Sequence, residues 1–410
     1  MVHPDCHMKP IIIALGCLLV LALPLSAQVK FKLLHNFGSP NDGNVPSGPL
    51  LLDAHGNLYG VTGGGPGLSG FGIVFALTPR SDGARNETIL HTFASADGSP
   101  WGGLIFGQGG SLFGTTIGGP VSKSEAYQLV PASTGWGFDV LYSDGAGPGM
   151  VFDKSGSLYG SIGVGDYFGA GAIGELSPVS SDWTYTQLYS FCGGGDCSGG
   201  YAPPAPPVWD THGNLWGTMA FGGITQSPCT FSDGCGVVYE MTPNGDGTWT
   251  YNIIHQFASS STDGQFPGGG LVMDASGNFY GGTTEGGSSN MGTIFKFSNV
   301  GGTWQEKIIY EFSSCKMGCG VEGTLARDKA GNLYGTANGG PGNCGLSCGV
   351  VFRLAPQSNG SWKYTVLYDL TKTTGGVMLY GVTLDGKGNL FGVTGSAGKY
   401  GAGTAFEITP

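Results

Sequence analysis

One short turn recurs seven times along this chain, and that recurrence constrains the fold more than any other feature. Aligned on a shared glycine, the copies lie 46 to 64 residues apart. An Asp at the first position accepts hydrogen bonds from backbone N–H groups two residues on, and Gly-Asn tolerates the positive φ of a tight reversal. The motif therefore predicts a structural turn between two strands. The copies read DAHGNLYG, GQGGSLFG, DKSGSLYG, DTHGNLWG, DASGNFYG, DKAGNLYG and DGKGNLFG.

Each repeat predicts four strands, which we call a to d. Strand a is the apolar stretch before the turn, as in GLVMD, and strand b follows the turn, as in NFYGGTT. After a Gly-rich loop comes strand c, as in GTIFKFS, and then strand d, usually announced by Trp, as in WQEKIIYEF. Short β-rich runs separated by glycine-containing turns are typical of antiparallel hairpins.

The count of d strands predicts a closed ring. There are seven of them, but the first, at 31–37, precedes any a strand, and the seventh c strand is the last segment before residue 410. Seven complete sheets exist only if the first strand joins the last three. We therefore predict an all-β, seven-bladed β-propeller of four-stranded blades over residues 28–410, closed by the N-terminal strand. A solenoid would instead require capping ends.

The first residues predict export. An apolar run at 11–25 follows Lys9 and precedes the small pair Ser26 and Ala27, which is the layout of a signal peptide over residues 1–27. A membrane span is the alternative, but this run is shorter than the ~20 residues that a bilayer crossing needs. We expect cleavage near Ala27 and a secreted or periplasmic protein.

The charge composition argues against nucleic acid as a partner. The net charge is −11, with 17 Lys and Arg against 28 Asp and Glu, and no basic cluster is present. Binding to phosphates needs such a cluster.

We expect a monomer without a stable membrane span.

The repeat resembles a known family. The pattern D-x-x-G-N-L-Y-G-T-T, followed by G-G and by G-T-V-F-x-L-T-P, is similar to the GloVer tandem repeat of secreted bacterial choice-of-anchor proteins, and more loosely to NHL-type propeller repeats. The resemblance covers residues 29–410. It implies a propeller, and it implies no activity or catalytic residue.

Chain order divides the connections between two faces. If strand a is innermost, the a–b and c–d turns share one face, the turn face, and the d–a and b–c loops share the other, the loop face. Loop lengths vary most on the loop face, where propellers commonly bind ligands. Our ligand-binding candidates all belong to it: Asp97, Trp101, Asp166, Tyr167, Asp263, Glu285 and Tyr400.

The side chains of these candidates offer two kinds of ligand contact. Unrepeated aromatic rings stack on sugars or peptides, and carboxylates meet sugar hydroxyls or Ca²⁺. For the Asp-Gly pairs, including Asp97 and Asp263, the alternative is a turn that caps its own loop. Ca²⁺ stays open, although no EF-hand ligand series is present.

Eight cysteines remain after the leader, in close pairs on the loop face, and they predict disulfides in an oxidising compartment. Zinc is the alternative, but the spacings are not C-x2-C. Bridges within or between loops are both open. The cysteines are Cys192, Cys197, Cys229, Cys235, Cys315, Cys319, Cys344 and Cys348.

The histidines predict neither catalysis nor a metal site. His35, His91 and His255 fill a d-strand position that Tyr occupies in the other repeats, while His55 and His212 lie in the turn. We therefore predict no metal ligands and no cofactor. Trp136, Trp183, Trp249, Trp304 and Trp362, which precede strand d, are predicted to pack between blades.

Two functions follow as hypotheses. The first is a non-catalytic secreted propeller that binds a glycan or an extracellular protein through its loop face. The alternative is a lyase or glycoside hydrolase that acts on a polysaccharide with carboxylates near the channel mouth, where two carboxyl groups ~5–9.5 Å apart would indicate hydrolysis. A purely structural adhesion role also stays open.

Overall fold

Thirty strands form seven antiparallel sheets in a computed structural model of the protein. It describes residues 29–66, 70–118, 124–162, 171–180, 182–192, 197–229, 231–340, 348–376 and 380–410. The predicted signal peptide lies outside these residues. The strands are numbered β1 to β30 in chain order, and each sheet is one blade.

Blades 1 to 3 follow one another along the chain. Blade 1 contains β2 (Asn44–Pro46), β3 (Leu51–Leu52), β4 (Leu58–Gly64), β5 (Ile73–Pro79) and β6 (Arg85–Thr92). Blade 2 contains β7 (Ser99–Phe106), β8 (Leu112–Ile117), β9 (Ala126–Ala132) and β10 (Gly135–Tyr142). Blade 3 contains β11 (Ala146–Phe152), β12 (Leu158–Ile162), β13 (Ala172–Val179) and β14 (Asp182–Ser190).

Blades 4 to 7 complete the ring. Blade 4 contains β15 (Val208–Trp209), β16 (Leu215–Met219), β17 (Val237–Pro243) and β18 (Trp249–Gln256). Blade 5 contains β19 (Gly264–Pro267), β20 (Val272–Met273), β21 (Phe279–Gly286), β22 (Thr293–Val300) and β23 (Thr303–Glu311). Blade 6 contains β24 (Cys319–Arg327), β25 (Leu333–Asn338), β26 (Gly349–Pro356) and β27 (Trp362–Asp369). Blade 7 contains β28 (Thr383–Leu384), β29 (Leu390–Thr394), β30 (Thr404–Thr409) and β1 (Lys30–Asn36). Two 3₁₀ turns, Gln108–Gly110 and Cys315–Met317, complete the described elements.

The predicted closure is confirmed. The first strand, β1, pairs antiparallel with the last, β30, in a register from Lys30↔Thr409 to Asn36↔Thr404. The sheet order of blade 7 is β1-β30-β29-β28. The ring therefore closes through backbone hydrogen bonds within one blade.

The repeated Asp organises its turn as predicted. In blade 5 the Asp274 carboxylate accepts hydrogen bonds from the backbone N–H groups of Ser276 and Asn278 and from the Tyr280 hydroxyl. Burial alone would raise the pKa of Asp274, but these hydrogen bonds outweigh burial and lower it. The turn is structural because donors of the turn itself and of the strand after it occupy its carboxylate oxygens.

Apolar side chains fill the spaces between neighbouring blades. The Trp that precedes strand d contacts rings of strand b in the preceding blade. Trp304 meets Trp216 at a centroid distance of 4.6 Å, and Trp362 meets Tyr280 at 6.1 Å. Such edge-to-face pairs add to the area burial of each ring, and the predicted interblade packing of these residues is confirmed.

A β-bulge near the end of every d strand turns one side chain toward the next blade. The register shifts one residue before His35, and an equivalent shift occurs in all seven d strands. Bulges re-aim side chains in this way. At five interfaces the re-aimed ring stacks on an aromatic residue of the next d strand: Phe31–Tyr368, His91–Phe138, Tyr142–Tyr185, Tyr189–Tyr251 and Tyr310–Tyr364.

The innermost residues form a tight ring of small groups. A Cβ added to Gly48 in blade 1 would lie 2.0 Å from the carbonyl oxygen of Gly102 in blade 2, and one added to Gly102 would lie 2.0 Å from that of Pro148 in blade 3. The corresponding position in blade 7 is occupied by Tyr380, whose large side chain departs from this pattern. Adjacent blades thus touch through their backbones at the channel.

Candidate functional site

Two of the predicted loop residues lie in strands instead, and both loop assignments are wrong. Trp101 is the third residue of β7, because the pairing of blade 2 already begins at Ser99↔Ile117. Glu285 lies in β21, where it pairs with Gln265 of β19. The inner strands extend further toward the loop face than the turn signals indicate.

The other candidates are spread over the loop face. Asp97 accepts a hydrogen bond from the Ala94 backbone N–H, so it caps its loop. Tyr400 is 47 % exposed, with the Lys399 ammonium 4.9 Å from its ring centroid. Asp263 is buried. Asp166 and Tyr167 lie outside the described residues, so the structure does not bring the seven candidates into one site.

A group of side chains meets near the loop-face end of the central channel. The rings of Trp101 in blade 2 and Tyr380 in blade 7 pack edge to face at 6.4 Å. Blade 1 lies between these two blades, and its innermost position is occupied by the small residue Gly48. The Trp101 and Tyr380 side chains therefore meet on the channel side of blade 1. Trp101 is 37 % exposed.

A carboxyl group completes this channel cluster. Glu322 of β24 accepts a 2.6 Å hydrogen bond from the Asn338 amide. Burial raises the pKa of Glu322, and the Asn338 bond only partly opposes this. Gly323, the residue after Glu322, lies directly against the Tyr380 backbone, since an added Cβ would be 2.3 Å from the Tyr380 carbonyl carbon. Burial, and then the charge of Glu322, raise the pKa of Tyr380. We define the channel cluster as Trp101, Glu322, Asn338 and Tyr380.

Two interfaces carry a His, an Asp and a Glu where the others carry stacked rings. At the seam between blades 7 and 1, the bulge turns His35 of β1 toward Glu87 of β6, and Asp42 of the following loop joins them. The Nε2 atom of His35 lies 2.9 Å from Asp42 Oδ2 and 3.7 Å from Glu87 Oε1. We call this the seam cluster.

The interface between blades 4 and 5 carries the same three residue types. His255 Nε2 lies 3.1 Å from Asp263 Oδ2 and 3.5 Å from Glu306 Oε2. We call this the opposite cluster. Within the described part of the chain, these are the two groups whose His and carboxylate atoms could hold a metal ion.

In each cluster the pKa of the Glu is strongly raised. Burial, followed by the hydrogen bond and charge of Asp42, raises the pKa of Glu87 to about 8. Burial, together with the nearby Asp263, raises the pKa of Glu306 to about 8, although the charge of His255 opposes this. In each cluster two carboxylates compete for one cation or proton.

Sequence reasoning missed these clusters. It treated each His as a substitute for Tyr and did not consider what the next blade presents to it. The signal was nevertheless present: Glu87 and Glu306 occupy the d-strand position of Phe138, and both face a His that is followed by an Asp-Gly loop. At the third His, His91, the partner is Phe138 and no such group forms.

Three disulfides join cysteines that are close in sequence on this face: Cys192–Cys197, Cys229–Cys235 and Cys315–Cys319. The first two lie within one loop each, and the third joins a 3₁₀ turn to the first residue of β24. Cys348 is also disulfide-bonded, while Cys344 lies outside the described residues. The prediction of disulfides is confirmed for these seven cysteines. Because a short covalent loop removes freedom from the unfolded chain, each bridge stabilises its loop.

A groove of about 480 Å³ opens on the turn face between blades 2 and 3. It lies at the turn copy in which Gly107 replaces the usual Asp, and Phe113, Lys154 and Trp183 line it. The groove marks the one copy of the turn motif that lacks its organising carboxylate.

Seven blades, each with strands a to d and with strand a divided in two in blades 1 and 5, form a closed ring and define the protein as a β-propeller repeat protein. Residues 224–410 match the model of the Gloeobacter/Verrucomicrobia repeat. The resemblance to the GloVer repeat is thereby confirmed. No curated protein sequence matches the chain.

Solved structures share the fold at low identity. A putative 6-phosphogluconolactonase from Bacteroides uniformis is 11% identical over 80% of this chain and 86% of its own, with a TM-score of 0.50. PorZ, a bacterial surface component of the type-IX secretion system of Porphyromonas gingivalis, is 15% identical over 91% of this chain and 47% of its own, with a TM-score of 0.52. The chain therefore spans about half of PorZ. A luciferin-regenerating enzyme is 10% identical over 90% of this chain and 92% of its own, with a TM-score of 0.45.

The likenesses to the putative lactonase and to PorZ show the fold alone. A search for spans among the described residues finds no helix with the length and apolar character that a membrane crossing requires.

Proposed function

We propose that the protein is an exported binding protein that takes a carbohydrate at the loop-face end of its channel. The observation that carries this proposal is the channel cluster, in which an exposed Trp101 and a neighbouring Tyr380 accompany a carboxyl and an amide group. Aromatic faces stack on the apolar faces of sugar rings, while carboxyl and amide groups bond to hydroxyls.

The surrounding structure supports a rigid site. Trp101 is held in a strand, and the Thr115 hydroxyl donates a 2.9 Å hydrogen bond to its carbonyl oxygen. A preorganised ring loses little conformational freedom when a ligand binds. The disulfide-stapled loops and the N-terminal signal-peptide layout agree with an extracytoplasmic setting.

A glycan array probed with the purified exported protein tests this proposal. We expect a restricted set of glycans to bind, and we expect Trp101→Ala to weaken binding of each at least tenfold, as removal of a central aromatic contact usually does. Phe231→Ala is the matched control, because Phe231 is 49 % exposed on the same face but belongs to the b–c loop of blade 4. Its affinity should equal that of the wild type.

The proposal fails if no glycan binds, or if both variants lose affinity equally. Product analysis of every bound glycan then separates binding from the alternative lyase or hydrolase activity. Unchanged glycan after prolonged incubation supports a binding protein, and released fragments would contradict it.

A further inference from the structure

The carboxylates of the seam cluster are buried in a way that the chain does not compensate. Asp42 is only 2 % exposed. Its Oδ2 atom meets His35, but its Oδ1 atom is buried without a hydrogen-bond partner, and so is Oε1 of Glu87. Buried acceptors normally have a donor, because an unsatisfied one destabilises the fold. These two oxygens point to a positive ligand.

We propose that His35, Asp42 and Glu87 bind one divalent transition-metal ion, of the Zn²⁺ class, at the seam between blades 7 and 1. One imidazole nitrogen and two carboxylate oxygens form a mixed donor set that suits such ions, whereas Ca²⁺ prefers oxygen ligands alone. The two ions thus differ in how well this set fits them.

The distances suit a shared ion. Two ligand atoms that each lie about 2.1 Å from one Zn²⁺ are about 3.0–3.4 Å apart in octahedral or tetrahedral geometry. The observed separations from His35 Nε2, 2.9 Å and 3.7 Å, bracket that range, and the ligand atoms of all three residues lie within 4.8 Å of one another. Small side-chain movements are enough to complete the coordination.

The opposite cluster shows what a carboxylate satisfied by the chain looks like. There Asp263 Oδ2 accepts hydrogen bonds from the backbone N–H and hydroxyl of Ser259, and Oδ1 accepts one from the Gly264 backbone N–H. Asp42 accepts from no backbone N–H or hydroxyl group; its partners are His35 and the Glu87 carboxyl, which can donate to it only while Glu87 is protonated. Glu306 Oε1 is buried without a partner, as Glu87 Oε1 is, so the two interfaces differ in their Asp: the chain satisfies both oxygens of Asp263 and leaves Oδ1 of Asp42 without a donor.

Packing alone does not explain Glu87. His91 occupies the same position as His35 one blade further on, and it stacks on Phe138 at 4.2 Å with an interplanar angle of 5°. A His at this position thus needs no acid from the next blade. The pair of His91 and Phe138 also supplies a variant that the fold accepts.

The proposed ion joins three segments at the closure of the ring. His35 comes from the closing strand β1, Asp42 from the loop after it and Glu87 from β6 of blade 1. Three protein ligands leave coordination positions for water, and the His35 and Glu87 side chains are 20 % and 18 % exposed, which leaves them a solvent edge.

Metal binding by an untagged protein treated with EDTA tests the proposal. We expect one equivalent of Co²⁺ to bind and produce a d–d absorption band, and Zn²⁺ to displace it. Glu87→Phe, which copies the pair of His91 and Phe138, and Asp42→Asn should each weaken Co²⁺ binding at least a hundredfold. Glu306→Gln in the opposite cluster is the matched control and should bind as the wild type does.

Melting curves of the metal-free proteins show which variants fold, and either seam variant that folds is sufficient for the test. The proposal is overturned if the wild type binds neither ion. It is equally overturned if folded seam variants retain binding, or if Glu306→Gln abolishes it.

Discussion

Single buried acids set the pH response of this protein. Glu306 lies between His255 and Asp263, and its pKa in the folded protein is about 8, whereas an exposed Glu in the unfolded chain titrates near 4.5. Between these values the folded state holds a proton that the unfolded state has lost. Stability therefore falls as pH rises through this window.

His255 and Asp263, the neighbours of Glu306, also contribute to the dependence of stability on pH. Burial alone would lower the pKa of His255, but Asp263 and Glu306 raise it, so His255 also loses stabilising free energy as pH rises. The pKa of Asp263 is lowered despite burial, chiefly by its hydrogen bond from His255. The contribution of Asp263 to stability is therefore lost only at acidic pH.

The first prediction is that Glu306→Gln flattens this response. Gln has no proton to lose, so between pH 5 and pH 8.5 the free energy of unfolding should decline by about 4 kcal/mol less than in the wild type. Urea unfolding at both pH values, in EDTA, measures the difference. Equal pH slopes for the two proteins would contradict the assignment of Glu306.

Residue types alone revealed part of this chemistry. The Asp of each turn was predictable because its partners lie two to four residues away. Glu87 and Glu306 were not, since their partners are separated from them by 43 or more positions and by a blade boundary. Their contacts depend on the bulge, which periodicity does not indicate.

At the scale of elements, strands and turns were largely predictable, because each follows from a local pattern of glycine, Asp and alternating apolar residues. All seven d strands and their order were found in this way. The inner strands were harder to place, and Trp101 and Glu285 were assigned to loops. At their loop-face ends β7 and β21 continue as strands because a facing strand pairs with them, as in Ser99↔Ile117 and Gln265↔Glu285, and no local pattern marks this.

The second prediction concerns these contacts between inner strands. Gly102 has a φ of +79°, and an added Cβ would meet the Pro148 carbonyl oxygen of the next blade, while Gly109 has a φ of +67° and open space around it. Gly102→Ala should destabilise the protein by about 3 kcal/mol or more through overlap and backbone strain. Gly109→Ala should cost only the left-handed backbone term, about 1 kcal/mol.

Chemical denaturation of both variants checks this comparison. The shared positive φ makes Gly109→Ala a control for backbone strain, so the difference between the two variants isolates the contact between blades 2 and 3. Similar losses in both would show that the inner strands are not tightly apposed.

At the scale of the whole molecule, the number of blades and the closure were predictable by counting strands. The third prediction concerns that closure. Because Lys30 and Thr409 are paired neighbours, a short linker can join the two ends of the ring. New ends between Asp82 and Gly83 would again split one blade, whereas new ends between Ser95 and Ala96 would leave every blade continuous.

We expect the first permutant to match the wild type in stability, since one sheet still bridges the two ends. The second should unfold at lower denaturant concentration and be cleaved faster by protease, because no hydrogen-bonded sheet locks its ends together. Indistinguishable permutants would show that the split blade contributes nothing to closure.

The pairing of β1 with β30 also determines when blade 7 can form during synthesis of the chain. Lys30 and Thr409 are nearly 380 positions apart. At ~5–20 residues per second, β1 is therefore synthesised roughly 20 to 75 seconds before its partner β30. Throughout that interval the outer strand of blade 7 is present without its three inner strands, and the nascent polypeptide exposes an unpaired β-segment that is open to aggregation.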